Sequence, residues 1–363
     1  TGVVAVNSLI PVILRDDWEG ESFSLFDGVS TWPSIAIRSL VIVWCFRCLV
    51  KAFYDLRLTQ KELSEEFGFH FHGSERTSEE QGSWFLRSIA WIQSVPQKSD
   101  SVVNANDIWR DYSRAALYRN RIARSVMLLV VYMFLISIIL ATIASPGLPS
   151  SPCRGSINCA MAHGVTFAAV LSMVLLNMFV FDAVLLCQGF IARLNATPIY
   201  WPHGTLSKYH SQFNIDHQYL PSFIVVRFIA NQTQAVHNLV FCPFIALFFM
   251  IVSRNRFFDN WDFPLALIIV WLLYTGLAAG STIILRFRAK EAREIALSRL
   301  CEQRVHVTGM GEQGKAQAEQ IRLMINEINH VRKGAYAPLA LHPVFSASIL
   351  ALISFLQYWY VGQ

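Results

Sequence analysis

Two uncharged apolar runs dominate the pattern of the chain, at 239–252 and 265–285, with a polar turn at 253–264 between them. The second run carries no Asp, Glu, Lys or Arg over about twenty residues, the length an α-helix needs to cross ~30 Å of hydrocarbon. The first is shorter and crosses only when His237, Asn238 and Phe257 are counted near the interfaces. The turn Phe258-Asp-Asn-Trp-Asp-Phe-Pro264 holds interfacial aromatics, an N-cap carboxylate at Asp262 and a proline suited to an early helical position. Further apolar runs lie at 34–53, 126–144, 165–193 and 339–361. A shorter one at 3–14 reads either as the outer end of a first helix or as a helix lying in the interface, and it lacks the basic start and cleavage site of a signal peptide. The expected fold is all-α, a polytopic transmembrane helical bundle with cytoplasmic helical extensions.

The same pattern divides the chain. A partial span, an outer link and a first full span occupy 1–53, and a loop with interfacial and amphipathic helices follows at 54–124. A transmembrane hairpin with an outer cysteine loop fills 125–193, a second polar loop 194–238 and a second hairpin 239–285. A helical hairpin at 286–338 and a last span at 339–363 complete the order. Arginine and lysine cluster at Lys51 to Lys61, Arg110 to Arg124 and Arg286 to Arg293, so the positive-inside rule places the loops 54–124, 194–238 and 286–338 in the cytoplasm and the C-terminus outside. The face of Ile108, Tyr112, Ala115 and Arg119 is expected to run unbroken into the span at 126–144. Segment 224–237 reads as an amphipathic approach helix with Arg227, Asn231, Gln234 and Asn238 on its polar side. Ile321, Met324, Ile325 and Ile328 form an apolar stripe in need of a partner.

Composition agrees with lipid as the solvent. Of 363 residues 54% are hydrophobic and 15% charged, where a soluble domain has about a quarter charged. The net charge of +5 sits beside the apolar runs and needs no nucleic acid to explain it.

Ionisable and amide side chains inside the runs are the candidate functional positions, because lipid makes them expensive unless they are paired or wet. Asn177 and Asp182 fall in the run at 165–193, and Asp182 lies toward the inner leaflet at a depth close to Arg47. An Asp182–Arg47 ion pair is one expectation, and an Asp at the inner water interface is the other. Arg38 and Arg47 are both expected to snorkel. Cys153 and Cys159, in the loop expected outside, are the candidate disulfide. Cys45 and Cys48 form a C-x-x-C in an apolar helix and read as packing residues. Gly276 and Gly280 form a small-xxx-small stripe for helix packing. His203, His210 and His217 are seven apart, a spacing that is not a metal signature. The G-x-G-x-x-G at 309–314 follows no strand and reads as a flexible turn. No cofactor or metal set emerges, and the chain lacks H-E-x-x-H, a G-x-S-x-G elbow and a P-loop.

The stretches Phe26-Asp-Gly-Val-Ser-Thr-Trp-Pro33, Phe258-Asp-Asn-Trp-Asp-Phe-Pro264 and Arg332-Lys-Gly-Ala-Tyr-Ala-Pro-Leu339 resemble a loose group of uncharacterised bacterial polytopic inner-membrane proteins. The resemblance implies a bacterial inner-membrane setting and no particular activity. With the bilayer as its first partner, the chain reads as a membrane-anchored coupling or scaffold subunit whose cytoplasmic helices engage a protein partner or a second copy. The alternative is an ion channel or transporter with Asp182 and Asn177 on its pathway.

Overall fold

The computed structural model describes residues 32–69, 102–143, 156–253, 265–309 and 312–338. The opening run, the segment around 84–92, Cys153, the turn at 258–264 and the last span lie outside the described residues.

Almost every described residue is helical. In chain order the helices are α1 (Trp32–Glu66), α2 (Ala105–Ala115), α3 (Tyr118–Ile143), α4 (Ser156–Ala196), α5 (His203–Phe213), α6 (Leu220–Leu239), α7 (Phe241–Val252), α8 (Leu265–Thr308) and α9 (Glu312–His330). Short 3-10 turns at His217–Tyr219 and Gly334–Tyr336 join them. A two-residue parallel pair, β1 (Val103–Asn104) with β2 (Ile199–Tyr200), ties the start of α2 to the end of α4.

Among the described residues, four helical stretches are long and apolar enough to cross a membrane: Tyr118–Ile139, Ile157–Ala196, His217–Val252 and Ile269–Thr308. Their neighbours give the directions. Along α4, Asn177 bonds to the Tyr274 carbonyl and Gln188 to that of Ser281, so α4 and α8 run the same way. Arg38 of α1 meets Thr166 of α4, and further on Phe53 meets Phe179, which makes α1 parallel to both. In α3 Arg124 meets Asp182, whereas the later Tyr132 meets Val270 near the start of α8, so α3 runs against them. The α6–α7 pair also runs against them, with Asn231 at Glu66, Cys242 at Trp44 and Ser253 at Arg38.

Local chemistry explains where the helices stop. α1 holds Pro33 in its first turn, where a missing N–H leaves no carbonyl unpaired. It ends at Gly68, whose φ of +62° lets the Phe69 N–H reach back to the Ser64 carbonyl in a Schellman closure. α5 stops at Asn214 in the left-handed region. α6 and α7 separate at Val240 because Pro243 lacks the N–H that would bond to Leu239 and crowds that carbonyl.

α1, α4 and α8 have 35, 41 and 44 residues, which at 1.5 Å per residue is about 52, 61 and 66 Å. Each is far longer than ~30 Å of hydrocarbon. Each therefore continues past the apolar section into a polar end without a break. α4 is central, with 67% of its apolar window buried, while α3 is peripheral at 22%. The outward faces of α1 (Leu40, Val43, Phe46, Val50) and α3 (Val130, Val131, Phe134, Leu135, Ile138) are apolar and exposed, as lipid contact requires.

At the polar end the core is aromatic. Phe228 of α6 lies among Phe67, Phe69, Trp109, Phe190 and Trp201, with ring centroids 4.8–5.8 Å away. α6 keeps Arg227, Asn231, Gln234 and Asn238 on its less buried side. Its polar side grips its neighbours, Arg227 pairing with Glu327 of α9 at 3.1 Å and Asn231 bonding to Glu66 of α1 at 3.1 Å.

Two expectations are corrected. The helix through Tyr112 does not run unbroken into the next span: it stops at Ala115 and restarts at Tyr118. The apolar stripe of α9 also has its partner within the chain. Ile321, Met324 and Ile328 are fully buried in the core that contains Ala289, Ala292, Ala296 and Leu300 of α8.

Candidate functional site

The break between α2 and α3 builds the most unusual polar site in the bundle. The last turn of α2 leaves backbone carbonyls without intrahelical partners, and side chains from the first turns of α3 reach back to take them. Asn120 Nδ2 donates to the Arg114 carbonyl (2.8 Å), Arg124 Nη2 to that of Ala115 (2.9 Å) and Arg121 Nε to that of Ala116 (3.1 Å). Cations at a helix C-terminus are favoured by its partial negative charge. The arginine-rich margin that reads as a topology signal is thus also a cap.

Arg124 does more than cap. Its Nε and Nη2 donate to the two oxygens of Asp182 at 2.6 and 3.1 Å, a bidentate pair across α3 and α4. Arg121 and Arg124 are each 2% exposed and Asp182 1%. Arg121 Nη1 and Nη2, Arg124 Nη1 and the Ser125 hydroxyl are buried without a hydrogen-bond partner. Next to them Tyr112 of α2 accepts a hydrogen bond from Gln232 Nε2 of α6 and contacts the Cys187 thiol and Gln60. Burial pushes the Tyr112 hydroxyl well above the ordinary tyrosine value, so it stays protonated.

Arg47 takes no part. Phe53 meets Phe179 one turn before Asp182 (ring centroids 4.7 Å), which leaves Arg47 nine residues, about 13 Å, short of the level of Asp182 along α1. It also lies on the exposed face with Val43, Phe46 and Val50. The partner of Asp182 is Arg124, and the expected Asp182–Arg47 pair is replaced. Arg38, expected to snorkel, is instead buried, donating to Thr166 Oγ1 (2.8 Å) and Ser253 Oγ (3.4 Å). Ser34 bonds to the Ser253 carbonyl beside it.

These residues form layers. Thr166 and Asp182 are sixteen residues apart on α4, about 24 Å along the axis, so two buried arginine layers bracket the apolar section. Between them, Asn177 Nδ2 bonds to the Tyr274 carbonyl (3.1 Å), while the Tyr274 hydroxyl lies within hydrogen-bond distance of the Pro243 (3.2 Å) and Met173 (3.3 Å) carbonyls. Asn177 Oδ1 is buried without a partner.

The remaining candidates are placed as follows. Cys159 is disulfide-bonded. Cys45 and Cys48 are free and buried, and Cys48 hydrogen-bonds to the Cys242 thiol of α7. A Cβ built on Gly276 or Gly280 meets nothing within 4 Å among the described residues, so no described helix packs closely on that stripe. His210 and His217 lie 4.8 Å apart by ring centroids, while His203 bonds to Tyr200.

Within the stretch Arg332-Lys-Gly-Ala-Tyr-Ala-Pro-Leu339, one residue has a packing role that the sequence pattern did not assign. Gly334, at φ +56°, presses onto α6, where a Cβ would lie 2.3 Å from Thr233 Oγ1 and 2.6 Å from the Ala230 carbonyl. Its N–H donates to Gln234 and the next one, Ala335, to Thr233. Arg293 of α8 then lies over the Tyr336 ring, 4.2 Å from its centroid.

Comparison with protein-family models, with curated proteins and with solved structures finds no match. The geometry alone carries the functional reading.

Proposed function

We propose that the chain is a membrane-embedded coupling subunit, in which helices shared by the spans and a polar helical end pass the state of a bound protein partner into the bundle. The supporting observation is continuity. α1, α4 and α8 leave the apolar section without a break, and the bidentate Arg124–Asp182 pair fastens peripheral α3 to central α4 at the point of exit. A rigid helix transmits a displacement of one end to the other, and a packed interior shifts between discrete arrangements instead of deforming smoothly.

In this reading the membrane is a bacterial inner membrane and the Arg124 end faces the cytoplasm, as the basic margins favour. The partner is a soluble cytoplasmic protein or a second copy of the chain. Because the α9 stripe is spent on α8, recognition falls to the outward faces of the polar helices, where Leu323 and Val305 stand among charged residues.

A channel or transporter reading needs Asp182 and Asn177 to face a wet path. Their buried positions and committed hydrogen bonds favour coupling instead. Conductance of the reconstituted native chain and of Asp182→Asn, together with purification from native membranes under mild detergent, tests the choice. Silence in the bilayer with a stoichiometric co-purifying protein supports coupling. Ion flux that disappears in Asp182→Asn rejects it.

A further inference from the structure

The charge around the α2–α3 break does not sum to zero. Two guanidinium groups, Arg121 and Arg124, face one carboxylate, Asp182, and among the described residues no second carboxylate lies within ion-pair distance of either arginine. The negative end of α2 supplies only a partial charge, and the positive end of α3 begins at Tyr118 beside it. The other polar neighbours, Tyr112, Gln232 and Cys187, are neutral. An arginine does not shed its proton to escape burial as a lysine can. A buried guanidinium without a counter-charge is among the least stable arrangements a protein can hold.

The uncommitted atoms are also of one kind and come from one helix face. Arg121 Nη1 and Nη2, Arg124 Nη1 and Ser125 Oγ come from positions i, i+3 and i+4 of α3, which share a helix face. All can donate and none is paired, which is the donor set of an anion site. We infer that these groups enclose one small inorganic anion of chloride size, which completes the charge balance between α2, α3 and α4. Enclosure decides the size. With both arginines 2% exposed, the occupant is shut inside the protein, whereas a lipid phosphate tethered to its acyl chains would have to remain open to the bilayer. A water molecule would satisfy the hydrogen bonds and leave the charge uncompensated.

The inference stands apart from the coupling role, since an anion there is structural whether or not a partner binds. Its test uses the full chain purified in detergent. A ligand that binds only the folded state raises the unfolding temperature with concentration. The midpoint is expected to climb with sodium chloride and with sodium bromide, relative to sodium gluconate at equal ionic strength. In Arg121→Gln, which keeps a polar side chain and removes its charge, the chloride-dependent part of that rise should be lost. Equal midpoints in chloride and gluconate for the native chain would overturn the inference, as would an undiminished chloride effect in Arg121→Gln. Equilibrium dialysis of the native chain against radiolabelled chloride needs no variant. Retention of about one ion per chain is the expected result, and retention of none overturns it. Stabilisation by inorganic phosphate alone, or by phospholipid nanodiscs alone, would also overturn it, because either replaces an enclosed small anion with a larger, open ligand.

Discussion

Arg124 holds both carboxylate oxygens of Asp182, through Nε at 2.6 Å and Nη2 at 3.1 Å, at a level where neither side chain reaches solvent. Removing one partner of such a pair strands the other charge, which costs roughly 3–5 kcal/mol, while replacing both with apolar groups of similar volume is often neutral. Asp182→Asn should therefore lower the stability of the detergent-purified chain by about that amount. The double variant Asp182→Leu with Arg124→Met should recover most of the loss, apart from the cap on Ala115 that Arg124 also supplies. Denaturant unfolding of the three proteins measures both steps. A double variant no more stable than Asp182→Asn would show that the pair acts by more than mutual neutralisation.

Gly334 sits where two constraints coincide. Its φ of +56° disfavours any L side chain, and the space a Cβ would occupy is filled by Thr233 Oγ1 and the Ala230 carbonyl. Strain and overpacking together give an expected cost of about 2–4 kcal/mol for Gly334→Ala. Because Ala335 donates to Thr233 in the same contact, the segment from Arg332 should detach from α6 and become sensitive to trypsin at Arg332 or Lys333 before global unfolding. Cleavage there at the native rate would contradict this.

The stripe on α9 separates packing within the chain from packing on a partner. Met324 is fully buried and Leu323, one residue before it, is about half exposed. Met324→Ala should destabilise the isolated chain by about 2–5 kcal/mol, and Leu323→Ala by no more than roughly 0.5 kcal/mol. Limited proteolysis around 309–311 reads the same contrast. If Met324→Ala altered partner recovery and left proteolysis unchanged, the stripe would be an interface after all.

Much of this architecture was legible in the chain. Uncharged runs of span length marked the apolar helices, and one of them, 265–285, is the first half of α8, which runs on through Arg286 to Thr308. Pairing was not legible. Periodicity shows which residues share a face but not which helix that face meets, so Asp182 was matched by depth to Arg47 when its partner was Arg124. The break at Ala116 was hidden for a related reason. No glycine or proline marks it, and Asn120, Arg121 and Arg124 look the same whether they face phosphate headgroups or cap a helix. Arg38 misled in the opposite sense, because a lone arginine in an apolar run suggests snorkelling, while two distant hydroxyls, Thr166 and Ser253, were waiting for it inside.

Tyr209 carries a pH dependence whose sign follows from its surroundings. It lies on α5, buried against Phe223, with the Arg227 guanidinium 5.7 Å from its ring centroid. Burial pushes its hydroxyl up to about 12, Arg227 pulls part of the way back, and the Glu66 carboxylate adds to the rise. In the unfolded chain the same group ionises near ~10. Below that value both states keep the proton and the contribution of Tyr209 is complete. As pH rises from there toward about 12, the unfolded chain loses its proton first, so stability is lost across that window. The unfolding midpoint of the native chain should therefore fall more steeply through this range than that of Tyr209→Phe, which has no proton to lose. Ultraviolet difference absorbance gives an independent reading, since the tyrosinate signal gained near about 12 should be smaller by one residue in Tyr209→Phe than in the native chain. Parallel pH profiles for the two proteins would place Tyr209 in contact with water.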